Sequence, residues 1–362
     1  MQKFHMLHIF PSFGKGGQQR RFASLADGLA HEFRHTVVAL DGDFAAGELI
    51  ERNEAVSFET LDMEKSGAIH LLNLARVRRL IKESAPDLLA TYNWGSIEAV
   101  IANRIGSNVP NIHFEDGFGP DETVESQKRQ RVLFRRMALR KSLLVVPSRT
   151  LEQSATNTWR LKKGRVHYIA NGVNLSRFDR NALNGPRDAM VVGTVGALRT
   201  EKNYARLIKV CTEIDVPLTL EIYGDGPERA ALQEMDKSGR VIFQGETSSP
   251  ENAYPTFDIF ALSSDTEQMP ISLIEAMIAG LPCVATDVGD IASMVCEENR
   301  PFIVPLGNDR GYLEALKILA GDIELRQKIG AANALKAKTD FSASKMLEAH
   351  RQIYLEAMGH HG

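Results

Sequence analysis

Short apolar runs alternate with longer segments of helical periodicity along the whole chain. The apolar runs predict strands at residues 6–10, 36–40, 88–92, 111–114, 143–146 and 166–169. A second series predicts strands at 191–195, 218–223, 241–244, 259–262, 282–286 and 302–305. Between them lie helical patterns. In residues 18–30, apolar Phe22, Leu25, Ala26 and Leu29 recur at i, i+3, i+4 and i+7, which marks one helix face. Strands separated by helices predict βαβ units and parallel sheets. The runs do not alternate apolar with polar residues, as expected of strands covered on both faces.

The series restarts after a polar segment at 176–189 that contains Asn184-Gly185-Pro186. This segment reads as a linker between two doubly wound domains. A last helix is expected at 344–358, after the second sheet is complete. The expected organisation is therefore α/β, with one Rossmann-like domain over 1–180, a second over 181–343 and a C-terminal helical segment over 344–362.

Composition narrows the class. A chain of 362 residues suits two domains of ordinary size. A 43% hydrophobic and 25% charged content is that of a globular protein. A net charge of −3 gives no global field for nucleic acid or an anionic membrane, so such contacts need a local patch. Cys211, Cys283 and Cys296 form no C-x-x-C pair, and their odd number argues for small core residues in a reducing compartment. The first ten residues are too short and mixed for a signal peptide, and no run of 18 apolar residues exists. The expected location is the cytoplasm, with at most contact to the inner face of a membrane.

Four segments carry candidate chemistry. Gly14-Lys15-Gly16-Gly17 follows the first strand and opens the first helix. Glycines there admit a ligand close to the backbone, and the helix start offers free amides and a positive dipole end. The pattern is neither a Walker A nor G-x-G-x-x-G, and a plain strand-to-helix turn fits it equally. Arg199 and Lys202 follow the first strand of the second series, at the sheet end where open α/β folds bind ligands. A guanidinium fork and an ammonium charge suit a diphosphate; two solvated surface charges are the other reading. Tyr223-Gly224-Asp225-Gly226-Pro227-Glu228 reads as a structural turn into a helix.

The fourth segment, residues 263–277, is the most informative. A strand ends near Leu262, a polar loop holds Glu267, and a helix starting near Pro270 holds Glu275. Ionised carboxylates only accept hydrogen bonds, so each can hold a pair of sugar hydroxyls. The helix start between them can hold phosphate oxygens. Glu275 sits among Leu273, Ile274, Ala276 and Met277, unusually apolar surroundings for a solvated charge.

Glu267 and Glu275 with seven residues between them, followed by Ala276-Met277 and Gly280-Leu281-Pro282, resemble the E-x-seven-E signature of retaining family 4 glycosyltransferases. Ile169-Ala170-Asn171-Gly172-Val173-Asn174 with Arg177-Phe178 resembles the hinge motif of that family, residues 196–202 its diphosphate-binding stretch, and residues 14–17 its N-terminal glycine loop. The resemblance implies a GT-B fold, two Rossmann-like domains facing across a cleft, with acceptor bound by the first, nucleotide sugar by the second and the last helix returning to the first. It implies that Glu275 holds the ribose, Glu267 the donor sugar, and Arg199 and Lys202 the diphosphate, without a metal or other cofactor. Backbone N–H groups near Met269, Ile271, Ser272 and Gly17 would complete the phosphate cradle, with Gly16 and Pro270 lining it and Gly245 near the base. The implied reaction is retaining transfer from a UDP- or GDP-sugar to a glycan or lipid-linked acceptor in surface polysaccharide or glycolipid synthesis. The implied attack is front-face, with the departing phosphate as base. The protein's main part in this is to stabilise developing diphosphate charge.

Where the family often has a histidine before glycine, this chain has Asp116 before Gly117. Asp116 or Glu115 is expected to bind a sugar hydroxyl or orient the acceptor, since an acid suits an oxocarbenium-like centre. His113 is expected to pack inside. Asp41-Gly42-Asp43 has the D-x-D spacing of a metal site but reads as a turn, and the histidines show no zinc spacing. Residues 128–141 hold seven basic residues. On a helical wheel Leu133, Phe134, Met137 and Ala138 gather opposite most of the arginines, giving either a core-packed helix or a dock for anionic lipid. Two rivals share the pattern: a nucleotide-sugar epimerase of the same fold and a non-catalytic sugar-nucleotide-binding protein. A dinucleotide oxidoreductase is disfavoured by the missing G-x-G-x-x-G.

Overall fold

The computed structural model describes residues 3–64, 70–119, 122–124, 126–178 and 189–360. It divides into two compact units, Met1–Ala170 with Met346–Gly362, and Asn171–Lys345.

The first unit is built on seven strands: β1 (Phe4–Phe10), β2 (Phe33–Ala39), β3 (Val56–Thr60), β4 (Leu88–Tyr92), β5 (Asn111–Phe114), β6 (Leu143–Val146) and β7 (Val166–Tyr168). All pair in parallel, in the order β3-β2-β1-β4-β5-β6-β7. β4 is buried along its whole length. Phe10, Tyr92 and Phe114 stack across β1, β4 and β5, with ring centroids 3.7 and 5.0 Å apart. These rings sit just before the loops that leave the sheet, and truncating one would destabilise the unit by about 3–5 kcal/mol.

The second unit holds β8 (Met190–Val195), β9 (Leu218–Tyr223), β10 (Val241–Gly245), β11 (Ile259–Leu262), β12 (Cys283–Asp287) and β13 (Ile303–Pro305). They are again parallel, in the order β10-β9-β8-β11-β12-β13. In each sheet the order reverses once, between β1 and β4 and between β8 and β11. Ligands of open α/β sheets bind at that switch point, beyond the carboxyl ends of the strands.

Every expected strand is present, with ends displaced by at most three residues. β3 is the addition. It is an edge strand with Val56 buried and the next four residues exposed, so it lacks the continuous apolar run of a central strand. Most of the expected linker, 179–188, lies outside the described residues, as does the expected boundary at 180/181. Residues 171–178 pack within the second unit. Val173 N–H donates to the Phe341 carbonyl and Ala343 N–H to that of Val173, both at 2.9 Å. The Phe178 ring meets Tyr254. The helix Ala343–Ala357 carries the chain into the first unit, where Arg351 pairs with Glu32 and Tyr354 meets the Phe33 ring.

Candidate functional site

In the second unit the site is built from the loops after β8 and β11. After β8 the chain is pinned by the next loop: Gly196 N–H donates to Tyr223 O, Leu198 N–H to Asp225 O, and Glu228 N–H to Leu198 O. Such close approach requires a glycine. Gly224 has φ +148°, and a methyl group there would fall 1.9 Å from the Gly196 carbonyl oxygen. The turn Tyr223–Glu228 thus shapes the cation-bearing loop from below. Gly245, at the end of β10, accepts from Gly224 N–H at 2.7 Å. Arg199 then stands exposed, without an ion pair among the described residues. Thr200–Lys202 forms a single 3-10 turn, and left-handed Asn203 caps the helix Tyr204–Thr212.

After β11 the chain enters the loop of Ser263 to Met269. Lys202 Nζ is ion-paired with Glu267 Oε1, which also accepts from Ser264 Oγ at 2.8 Å. The Glu267 backbone is closely packed: Gly289 has φ +61°, and a methyl group on it would lie 2.3 Å from the Glu267 carbonyl oxygen. Met269 and Pro270 are buried, and the Met269 carbonyl accepts from Asn171 Nδ2 at 2.8 Å. The helix Ile271–Ile278 starts at Pro270 with no side-chain cap and no acidic residue in its first turn. Ile271 and Ser272 are only partly buried there. Their amides are among the helix's unpaired donors, so its positive end is left for an anion. Glu275 is buried, 6% exposed, and its Oε2 accepts from the buried Tyr254 hydroxyl at 2.5 Å. The Lys202–Glu267 contact, the helix start and Glu275 therefore share one switch point. Arg199 is three residues before Lys202 on the same loop.

In the first unit, Gly16 is the extended N-cap of the helix Gly17–Gly28, which has no side-chain cap and no acid in its first turn. Asp116, at the carboxyl end of β5, is held on all sides. Its carboxylate takes a bidentate ion pair from buried Arg21, one arm at 2.7 Å, and a hydrogen bond from Gln18. Its amide donates to Asn93 Oδ1 at 2.8 Å. Arg21 is raised further above its ordinary value: burial opposes its charge, but the Asp116 carboxylate outweighs it. Glu115 is fully buried, 3.5 Å from both His113 Nε2 and Arg135 Nε. Asp116 thus ties the first helix to the loop after β5, and Glu115 lies behind it in the interior. His113 is buried in β5. Asp41-Gly42-Asp43 forms a turn, with Asp43 N–H on Asp41 Oδ1 and Ala45 N–H on Asp43 Oδ1.

The basic segment forms the helix Arg129–Leu139, and its faces differ from the helical-wheel expectation. Arg135 is fully buried, pairing with Glu122 at 3.2 Å inside a cage of Trp94, Phe118 and Trp159. Leu133 and Met137 instead point outward, about half exposed, beside exposed Arg129, Arg136 and Arg140. An arginine with an acidic partner and aromatic walls can be buried while two apolar residues remain outside. The three cysteines are buried, and burial pushes the Cys211 thiol up to about 12. Sequence reasoning missed Tyr254, which lies outside the segment that holds Glu275, and gave Ser264 no role although it stands three residues before Glu267.

Two family models match. "Glycosyltransferase Family 4" matches residues 15–177 and "Glycosyl transferases group 1" matches 176–336. The chain is 28% identical over 179 residues to the lipopolysaccharide core biosynthesis glycosyltransferase LpsD of Rhizobium meliloti, covering 48% of this chain and 52% of that one. It spans about half or less of the length of the first curated relatives it matches, 40%, 52% and 37%. A glycosyltransferase from Rickettsia africae superposes with a TM-score of 0.82 at 16% identity, covering 99% of each chain. Anabaena HepE in complex with UDP and glucose superposes with a TM-score of 0.80 at 17% identity, covering 98% of this chain and 100% of that one. With adjoining matches across most of its length and two parallel sheets of reversed strand order, this chain belongs to the family 4 glycosyltransferases and has their GT-B fold.

Proposed function

We propose that the chain is a retaining, metal-independent glycosyltransferase. It moves a sugar from a UDP- or GDP-sugar to a glycan or lipid-linked acceptor, in surface polysaccharide or glycolipid synthesis. The observation that carries this reading is the Lys202–Glu267 contact at the β8/β11 switch point, beside a helix start that carries no acid of its own. Lys202 and Arg199 supply the positive charge for the diphosphate, and the amides of Ile271 and Ser272 add hydrogen bonds to its oxygens. Glu275, oriented by Tyr254, accepts from ribose hydroxyls, and Glu267 accepts from the donor sugar. When the donor binds, the Lys202 ammonium shifts its contact from Glu267 to phosphate.

In the reaction the bond between C1 and the diphosphate oxygen breaks as a bond from the acceptor oxygen to C1 forms on the same face. The acceptor proton passes to the departing phosphate oxygen, and the nucleoside diphosphate leaves. The developing charge falls on the diphosphate, so fixed cations lower the barrier without needing to move protons. Acceptor contacts come from the loop after β5, whose shape Asp116 sets through Arg21 and Gln18. A relative named for lipopolysaccharide core synthesis and a structural neighbour carrying UDP and glucose support the substrate classes. The exposed Leu133 and Met137 among arginines suit the inner face of an anionic membrane.

The test is transfer from UDP- and GDP-sugars to extracted glycolipid acceptors in excess EDTA, with the anomeric centre followed by NMR. Product of the donor's own configuration, undiminished by chelation, is expected. Inverted product, loss of transfer on chelation, or an epimerised donor without transfer would each contradict the reading.

A further inference from the structure

Resting on this reading of the donor site and deepening it, we propose that Arg206 is a positioning residue that fixes Lys202 relative to Glu267 without touching the substrate. Arg206 lies in the first turn of the helix Tyr204–Thr212, with its side chain only 12% exposed. Its Nη1 donates to the Ser263 carbonyl at 2.8 Å and lies 2.9 Å from Asp265 Oδ1. Its Nε donates to Asp309 Oδ1 at 3.0 Å. Asn203 closes the ring: its Nδ2 reaches both Asp265 oxygens, and its Oδ1 accepts from Arg206 N–H at 3.1 Å.

This clasp joins the two loops that carry the site. Ser263 Oγ donates to the Lys202 carbonyl at 3.0 Å, and Asp265 N–H to the Glu201 carbonyl at 2.8 Å. The loop after β8 is thereby locked to the loop after β11 on the near side of both Lys202 and Glu267. Only a guanidinium spans three acceptors in fixed directions; an ammonium reaches them one or two at a time. Asp265 and Asp309 neutralise Arg206, so it acts through geometry and not as a further cation for the diphosphate.

The experiment is calorimetric titration of the full chain with UDP and, separately, GDP, in a double-mutant cycle of Arg206→Ala and Lys202→Ala. Each single variant should weaken binding about tenfold, and the double variant by no more than about twofold beyond Lys202→Ala alone. Arg206→Lys should fall between wild type and alanine, and it replaces alanine in the cycle if that variant does not fold. Losses that multiply, or an unchanged affinity in Arg206→Ala beside a weakened Lys202→Ala, overturn the positioning role alone. Wild-type affinity in Lys202→Ala, or no binding of either nucleotide to the wild type, overturns the donor-site reading beneath it.

Discussion

Glu275 shows how much chemistry a single position holds. A carboxylate 6% exposed in an apolar helix needs a donor, and the Tyr254 hydroxyl supplies one at 2.5 Å. Tyr254→Phe removes that donor while keeping the ring. It should lower stability by about 1–3 kcal/mol in urea denaturation and weaken UDP or GDP binding, because the carboxylate loses its orientation. A Tyr254→Phe protein with wild-type stability and affinity would place the support of Glu275 elsewhere. The acid itself was legible in the sequence through its spacing and apolar neighbours. Its partner was not, because Tyr254 lies 21 residues away on a separate short turn and no periodicity links the two. Asp116 repeats the lesson. The sequence offered an acid at the end of β5, but its grip on Arg21 joins residues 95 positions apart and appears only when β1 and β5 flank β4.

At the scale of elements, the central strands were legible because burial on both faces writes them as continuous apolar runs. β3 was not, since an edge strand with one buried residue carries no such run. The helix Arg129–Leu139 was legible as basic and amphipathic, yet its faces were misassigned. A wheel sorts residues by hydropathy, and it cannot foresee that Arg135 is neutralised by Glu122 in the interior. The outward stripe of Arg129, Leu133, Arg136, Met137 and Arg140 is the one to test. At its C-terminal end Arg104 donates to the Met137 carbonyl, and burial first, then the charges of Arg140 and Arg165, lower the Arg104 pKa. Replacing Leu133 and Met137 by Ser and Arg136 by Gln should reduce sedimentation with anionic vesicles several-fold. Equal sedimentation of variant and wild type would remove the membrane from the account.

At the scale of the molecule, the first unit buries histidines in its interior. His8 bonds to Tyr92 and His35 across β1, β4 and β2, and His350 lies between Phe114 and Tyr354. Burial holds His8 well below its ordinary value and lowers His35 and His350 to about 3. All three are neutral in the fold, whereas the unfolded chain takes up protons on them below about pH 6.5. Acid therefore favours unfolding. Stability should be full above that pH and fall as pH drops from 6.5 toward 3, by up to about 1.4 kcal/mol per pH unit for each histidine. Urea midpoints at pH 7.5, 6.5 and 5.5 check this, and an unchanged midpoint at pH 5.5 would mean that these histidines are protonated in the folded protein. The two-sheet organisation was legible from the restarting strand series. The strand order that brings Lys202 to Glu267 was legible only through the family resemblance, because apolar patterning gives the succession of strands but not their neighbours.

The central claim is that the second unit binds a nucleoside diphosphate through Arg199, Lys202 and Glu275. Its most direct measurement is calorimetric titration of wild type, Arg199→Ala and Glu275→Ala with UDP and with GDP. The account predicts that one nucleotide binds the wild type at a single site and that each substitution weakens it about tenfold or more. Wild-type affinity in both variants, or no binding of either nucleotide to the intact protein, would contradict it.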